Sequence, residues 1–267
     1  RTSFNDNTNA TIYGVELEAI VRPVREFTVN ASLSYLKTEI ADFNTVDTRN
    51  PSNGRSDVVI IKDLQSAANC VVAPAVAGSV PIANTLALVN GFNAVAGGGL
   101  IRPAVQVPGT NSFGAFSLCG ALGSFIRANT PAGTYLFDAG AGGVERNLKG
   151  NELANSPNFK FSVGAQYDIK TNSGWTITPR ADLYFTGNAW GSNFNTVRDR
   201  IKSYEIVSTQ LTVSGPEDKF YARAFVSNLF NSQAITGKYI TDPSSGLFTN
   251  IYTLDPRTYG VAVGFRF

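Results

Sequence analysis

The sequence predicts an all-β fold: about seven antiparallel, up-and-down strands forming the C-terminal segment of a larger transmembrane β-barrel. Three observations carry this. Seven segments alternate large apolar residues with small or polar ones, the period-two signature of a strand with two unlike faces. The segments are long, about 11 to 16 residues, against a mode of about 5–6 in soluble proteins, and about 9–11 tilted residues cross a bilayer. The connections also alternate. They take about four residues after the first, third and fifth strands, and roughly 100, 14 and 26 after the second, fourth and sixth. Short turns at one end and long loops at the other are the layout of an outer-membrane barrel.

The first strand, about 10–22, puts Tyr13, Val15, Leu17, Ala19 and Val21 on one face and Gly14, Glu16, Glu18 and Arg22 on the other. A turn at 23–26 follows, where Pro23 fixes φ and cannot continue a ladder. The second strand, about 27–42, alternates Phe27, Val29, Ala31, Leu33 and Tyr35 with Thr28, Asn30, Ser32 and Ser34, so the two make a hairpin. The third, about 158–170, is the clearest: Phe159, Phe161, Val163, Ala165, Tyr167 and Ile169 oppose Lys160, Ser162, Gly164, Gln166, Asp168 and Lys170. The fourth, about 175–188, opposes Trp175, Ile177, Ala181, Leu183 and Phe185 to Thr176, Thr178, Arg180, Asp182 and Tyr184. Pro179 is its one blemish, because a central strand loses a ladder donor there. The fifth and sixth strands cover about 203–214 and 219–230, around a turn containing Gly215 and Pro216. The last runs to the C-terminus, with Tyr259, Val261, Val263, Phe265 and Phe267 against Gly260, Ala262, Gly264 and Arg266.

The charges sort with the faces. Glu16, Glu18, Lys160, Asp168, Arg180, Asp182, Arg223 and Arg266 all oppose the bulky apolar residues. A lipid-facing Arg or Lys at the membrane midplane costs about 2–4 kcal/mol, so this sorting is expected of a sheet with one face in lipid. Lys37, Glu39 and Glu205 depart from it near strand ends, within reach of water. Aromatics gather near strand ends, as in interfacial girdles. Only 16% of the residues are charged, below the usual value of about 25% for soluble domains. Net charge is +2 without a basic run, so nothing points to nucleic acid. No apolar run reaches the roughly 18 residues of a membrane helix. The absence of histidine removes Ser-His and Cys-His catalysis and His-ligated metal sites from this segment. The chain starts at Arg1 without Met or a signal-peptide pattern, and is expected to be part of a longer protein.

Residues 43–150 break the pattern. They are rich in Ala, Gly, Pro and Asn and read as one long extracellular loop. A short strand at 58–61 and a short helix at 82–90, after Pro81, are the only elements suggested there. The segment is either a poorly ordered insertion or a folded loop with a role in ligand access. It holds both cysteines, Cys70 and Cys119, for which a disulfide is the expectation and two unpaired thiols the alternative.

Seven antiparallel strands cannot close on themselves, since the first and last point the same way; bacterial single-chain barrels have even counts. Specific residues then narrow the class. Tyr13-Gly14-Val15-Glu16-Leu17-Glu18 resembles the GxExE strand of TonB-dependent receptors. The segment from Asn151 to Phe159, with Pro157, resembles their lead-in to a late barrel strand. Val226-Ser227-Asn228-Leu229-Phe230-Asn231 is similar to their NLF segment in the penultimate strand, and Gly264-Phe265-Arg266-Phe267 to their aromatic-ended C-terminus. The resemblance covers nearly all the chain except 43–150. It implies the last seven of 22 strands in a Gram-negative outer membrane, with the loops extracellular. It also implies partners outside this sequence: membrane lipid, the missing barrel strands, a plug domain, the TonB energy-coupling protein, and the barrel-assembly machinery, for which Tyr259, Phe265 and Phe267 form the signal.

The function implied is energised import of a scarce ligand of siderophore–iron, cobalamin or oligosaccharide type. The alternatives are a passive substrate-selective porin, a membrane-embedded hydrolase and a soluble β-rich adhesin. Arg180, Asp182, Tyr184 and Arg223 are expected to point inward. Trp190, Phe194 and Arg198 lie in one outer loop, and Tyr239 and Tyr252 in another, where aromatic and Arg side chains suit planar or anionic ligands. These nine are the candidate ligand contacts, with salt-bridged lumen networks and loop packing as their structural alternatives. No catalytic residue, cofactor or metal site is expected.

Overall fold

Seven strands form one antiparallel meander: β1 Ala10–Val24, β2 Phe27–Ile40, β3 Phe159–Tyr167, β4 Thr176–Thr186, β5 Tyr204–Ser214, β6 Phe220–Ser227 and β7 Thr258–Phe265. The computed structural model describes residues 7–65, 69–96, 112–140, 143–241 and 246–266. The expectations placed on Phe267 lie outside them. The chain divides into two units, Arg1–Asp42 with Lys149–Tyr239 and Thr249–Phe267, and Phe43–Leu148 with Ile240–Phe248. The meander belongs to the first. Its strands pair strictly in chain order, and the sheet is open, with β1 and β7 at its edges.

Register explains why the period-two pattern was legible. The row Val21, Val29, Ala165, Ala181, Thr209, Val226, Tyr259 crosses all seven strands on one face. The neighbouring row Thr28, Gln166, Arg180, Gln210, Phe225, Gly260 lies on the other. A slip of one residue in any strand would swap its faces, so the pattern fixes every pairing. Pro179 sits at a break. The β3–β4 ladder stops at Gln166–Arg180 and resumes at Ile169–Ile177. Beside the break Asp168 stays tied to both neighbours: its N–H donates to the Glu26 carbonyl at 2.8 Å, continuing the β2–β3 register, and its Oδ1 accepts from Thr178 Oγ1 at 2.7 Å.

The small face of β7 also has a cause. The Phe225 ring lies over Gly260, where a Cβ would come within 2.8 Å of it, and the Tyr221 ring covers Gly264 in the same way. Glycine here makes room for a cross-strand aromatic ring. At the short-turn end, Trp175, Phe220 and Phe265 form a chain of rings with centroids 6.1 and 5.2 Å apart.

The second unit is folded, with more structure than its sequence suggested. Four strands in the order Ser112–Ser117, Val59–Asp63, Asn69–Pro74 and Tyr135–Gly140 make its sheet. Two helices, α1 Ile82–Ala96 and α2 Cys119–Asn129, contribute to its core. Val59, Ile61, Cys70 and Val72 pack there with Val89, Phe92, Leu122 and Ile126. A disulfide joins Cys70 to Cys119, with Cα atoms 5.7 Å apart. The strand suggested at 58–61 is Val59–Asp63, and the helix suggested at 82–90 runs six residues further, to Ala96. The insertion enters and leaves through a neck: Asn44–Thr45 pairs with Arg146–Asn147, and Leu148 N–H donates to the Phe43 carbonyl at 2.8 Å.

One ion pair anchors the start of this unit. Arg55 Nε and Nη2 donate to Asp57 Oδ1 and Oδ2 at 2.8 and 2.7 Å, and Gly78 N–H adds a third bond to the carboxylate at 2.8 Å. The Arg55 hydrogen bonds and charge, with the Gly78 N–H, pull the Asp57 carboxyl down to about 2 against a partial upward push from burial.

Candidate functional site

The polar face of the sheet carries a single connected network at its centre. Arg180, on β4, holds Asp182 of the same strand in a two-bond ion pair, with Nε to Oδ2 at 2.9 Å. It also donates to Gln166 Oε1 on β3 at 3.1 Å and to Asn30 Oδ1 on β2 at 2.9 Å. Three strands are thereby tied through one guanidinium, a planar group with five donors suited to such a role. The space for it comes from Gly164, the residue opposite Asp182 in register. A Cβ there would run into Arg180 Nη2 and Asp182 Oδ1 and approach Asn30 Oδ1 to 2.9 Å. One row away, Ser32 and Ser162 bond through their hydroxyls at 2.8 Å.

Arg180 and Asp182 are thus brought together and satisfy one another. Arg223 stands elsewhere on the same face, with its guanidinium carbon 5.6 Å from the centroid of the Phe225 ring. Tyr184 is part exposed on the row of Ser162.

A second network lies at the long-loop end, around a residue that sequence reasoning passed over. Glu152 accepts from Trp190 Nε1 at 3.0 Å and from Asn158 Nδ2 at 2.9 Å, with Lys37 Nζ 3.8 Å away. Asn193 and Asn195 complete it. Asn193 Oδ1 accepts from Ala154 N–H at 2.8 Å; Asn195 Oδ1 accepts from Glu152 N–H at 2.7 Å, and its Nδ2 donates back to the Glu152 carbonyl at 3.0 Å. Asn195 adopts φ 48°, the left-handed region that Asn tolerates better than most residues. The segment before β3 and the loop after β4 are therefore locked as one piece. In this lock Trp190 has a bonded, half-buried indole. Phe194 lies half-buried in the same loop, whereas Arg198 is exposed and its carbonyl accepts from Lys238 Nζ at 3.4 Å.

Tyr239 and Tyr252 stand on a hairpin formed by Ile235–Ile240 and Thr249–Thr253, which the sequence had suggested only as loop. Both are more than half exposed, and the Tyr252 ring lies against Gly237 at 3.2 Å from where a Cβ would be. The base of this hairpin is held by Asn228. Its Nδ2 donates to the carbonyls of Ser232 and Asp255 at 3.0 and 2.9 Å, and its Oδ1 accepts from Ser232 N–H at 2.8 Å. Asn228 is buried and left-handed at φ 52°, which gives the NLF segment a physical reason for its Asn. On β7, Tyr259 and Phe265 are largely exposed on the apolar face.

The network residues Glu152, Asn193 and Asn195 carried one sequence signal: a density of Asn in two segments that meet only through folding. Among the described residues no cluster of His, Cys, Asp and Glu is arranged to hold a metal ion. No helix among them is long and apolar enough to cross a membrane, which says nothing of crossing by strands.

No family model and no curated protein sequence matches the chain. Solved structures do. The ferric yersiniabactin uptake receptor FyuA from Yersinia pestis is similar over 95% of this chain and 23% of its own, at 14% identity and a TM-score of 0.50. The siderophore receptor PiuA from Acinetobacter baumannii is similar over 96% of this chain and 22% of its own, at 11% identity and a TM-score of 0.48. The chain thus spans less than a quarter of the length of either, and what it shares with FyuA at this identity is the fold.

Proposed function

We propose, from a chain that has the barrel fold of TonB-dependent outer-membrane receptors, that it is the C-terminal barrel segment of an energised importer. The observation that supports this best is the two-faced sheet of seven strands of 8 to 15 residues, paired in chain order, with its charges on one face except Lys37, Glu39 and Glu205 near strand ends. On this reading the apolar face meets lipid and the polar face lines the lumen. The long-loop end, with the second unit, lies outside the cell. FyuA is a ferric yersiniabactin uptake receptor and PiuA a siderophore receptor, which favours an iron–siderophore complex over the other ligand types. The missing strands, a plug and TonB supply the rest of the machine.

The candidate contacts then divide by their bonding. Arg180 and Asp182 brace the lumen wall, and Trp190 braces the loop end. Tyr239, Tyr252 and Arg198, exposed at the loop end, and Arg223, exposed on the polar face, are the side chains free to meet a ligand. Cells with the complete protein as their only outer-membrane route should lose iron–siderophore uptake when the inner-membrane proton gradient collapses, while surface binding persists. Uptake that survives the collapse, with an open conductance in planar bilayers, would identify a passive porin instead.

A further inference from the structure

The apolar face is not evenly bulky. Two adjacent rows gather small side chains at the middle of the sheet: Ala165, Ala181 and Thr209 in one, Pro179 and Ala224 in the next, with Leu211 between the latter two. These residues floor a groove of about 770 Å³. Phe27 and Tyr167 wall one end of it, and Tyr259 and Val261 the other. Toward the loops the face is built from Phe161, Val163, Leu183 and Phe185, with Ala31 beside Val163, and toward the short turns from Ile177, Val213 and Val263, with Ala222 between the last two, and from Phe220 and Phe265. The recess therefore runs across the strands as a furrow between two bulky bands. Pro179, at the break in the β3–β4 ladder, lies in its floor.

We propose that this furrow holds an acyl chain of a membrane lipid. The proposal rests on the reading that the apolar face meets lipid, and the furrow is continuous with that face. Gln166, Arg180 and Gln210 also border the furrow, but they belong to the row whose side chains lie on the polar face. In the floor itself Thr209 supplies a hydroxyl among hydrocarbon and aromatic ring, so the furrow offers water too few hydrogen-bonding partners to be well hydrated. A flat protein surface laid across it would leave a void and forfeit contacts on both sides. An unbranched, flexible chain can follow a narrow furrow and fill it, and each methylene buried gains favourable transfer energy. A second recess on this face, over Ala19 and Ala31, is smaller, about 270 Å³ against about 770 Å³, and lipid there and on the rest of the face exchanges more freely. A chain in the furrow is held longer.

Native mass spectrometry of the detergent-purified protein tests this, with dioleoyl phosphatidylethanolamine added in one arm and oleate in another. One phosphatidylethanolamine should stay bound under conditions that strip the rest. Ala181→Phe, which fills the floor, should lower that bound fraction about tenfold, and Ala165→Leu should lower it less. Val213→Phe, on the same face outside the furrow, should leave it unchanged. Folding of each variant is checked by heat-modifiable gel mobility. Equal retention in Ala181→Phe and wild type overturns the proposal, as does binding of oleate with no binding of phospholipid. Dimerisation lost in Ala181→Phe, with lipid retention unaltered, would give the furrow to a second copy and also overturn it. A protein that stays in solution without detergent would instead sink the membrane reading.

Discussion

The two units of this chain are held together by different means. In the seven-stranded sheet, neighbouring strands agree row by row, and its side chains are sorted to an apolar and a polar face. Its apolar face is largely uncovered: Leu17, Val261 and Phe265 are more than half exposed, while the buried Ile40 stands at the end of β2. The second unit has the opposite design. Val59, Val72, Val89 and Leu122 are fully buried, the strands of its four-stranded sheet are five or six residues long, and a disulfide closes its core. The first design rests on strand pairing, the second on its own interior. Perturbing one interior should therefore leave the other unit standing.

The largest effect expected is from removing the disulfide. Cys70→Ser takes out a crosslink spanning 49 residues and leaves a hydroxyl in an apolar core, at a cost of about 2–5 kcal/mol to the second unit. Both tryptophans, Trp175 and Trp190, lie in the first unit, so their fluorescence reports that unit alone. Hydrogen exchange in α1 and α2 should accelerate strongly while tryptophan emission holds. A red shift of that emission in Cys70→Ser would break the comparison.

Gly164→Val attacks the sheet from its polar face. Its side chain would displace Arg180 from Asp182 and Asn30, costing about 1–3 kcal/mol in overpacking. The heat-modifiable transition of the sheet should fall, with exchange in α1 and α2 unaltered. A smaller effect belongs to Asn228→Ala, which removes three hydrogen bonds and places a Cβ-bearing residue without a compensating amide at φ 52°. About 1–2 kcal/mol is expected, read as faster exchange confined to the turn after β6 and the base of the 235–253 hairpin.

The same contrast explains what was legible beforehand. The sheet announced itself because one face takes large apolar residues and the other small or polar ones, which forces alternation, and because a strand of 15 residues such as β1 repeats the signal many times. The second unit gave little away because Val58, Val59 and Ile61, like Val71, Val72 and Ala73, are buried whichever face they take. A strand buried on both faces has no alternation to read. Helix α1 was half visible through Pro81, but α2 follows Leu118 with no side-chain cap, so the usual N-terminal signal is missing. At the candidate site, Arg180 and Asp182 were legible as inward charges, whereas their partner Asn30 is 150 positions away from Arg180. Glu152 was invisible as a hub because its ligating Trp and Asn residues come from a loop whose path no local pattern sets.

The finest separation of the two units comes from acid. Asp57 has its carboxyl drawn from 3.8 down to about 2, chiefly by the Arg55 hydrogen bonds. A carboxyl whose folded pKa lies below its unfolded value binds its proton more readily when unfolded. The stability it contributes is therefore fully present above about pH 4 and is lost as pH falls through about 2. Thermal melting of the second unit, followed by exchange or by cleavage within residues 43–148, should drop between pH 4 and 2. Asp57→Asn should lower stability at neutral pH and flatten that drop, because the variant has no proton to take up at this position. The tryptophan signal of the sheet should be indifferent to the substitution at every pH. An equally steep drop in Asp57→Asn would assign the acid sensitivity to other carboxylates and remove Asp57 from the account of how this unit is held.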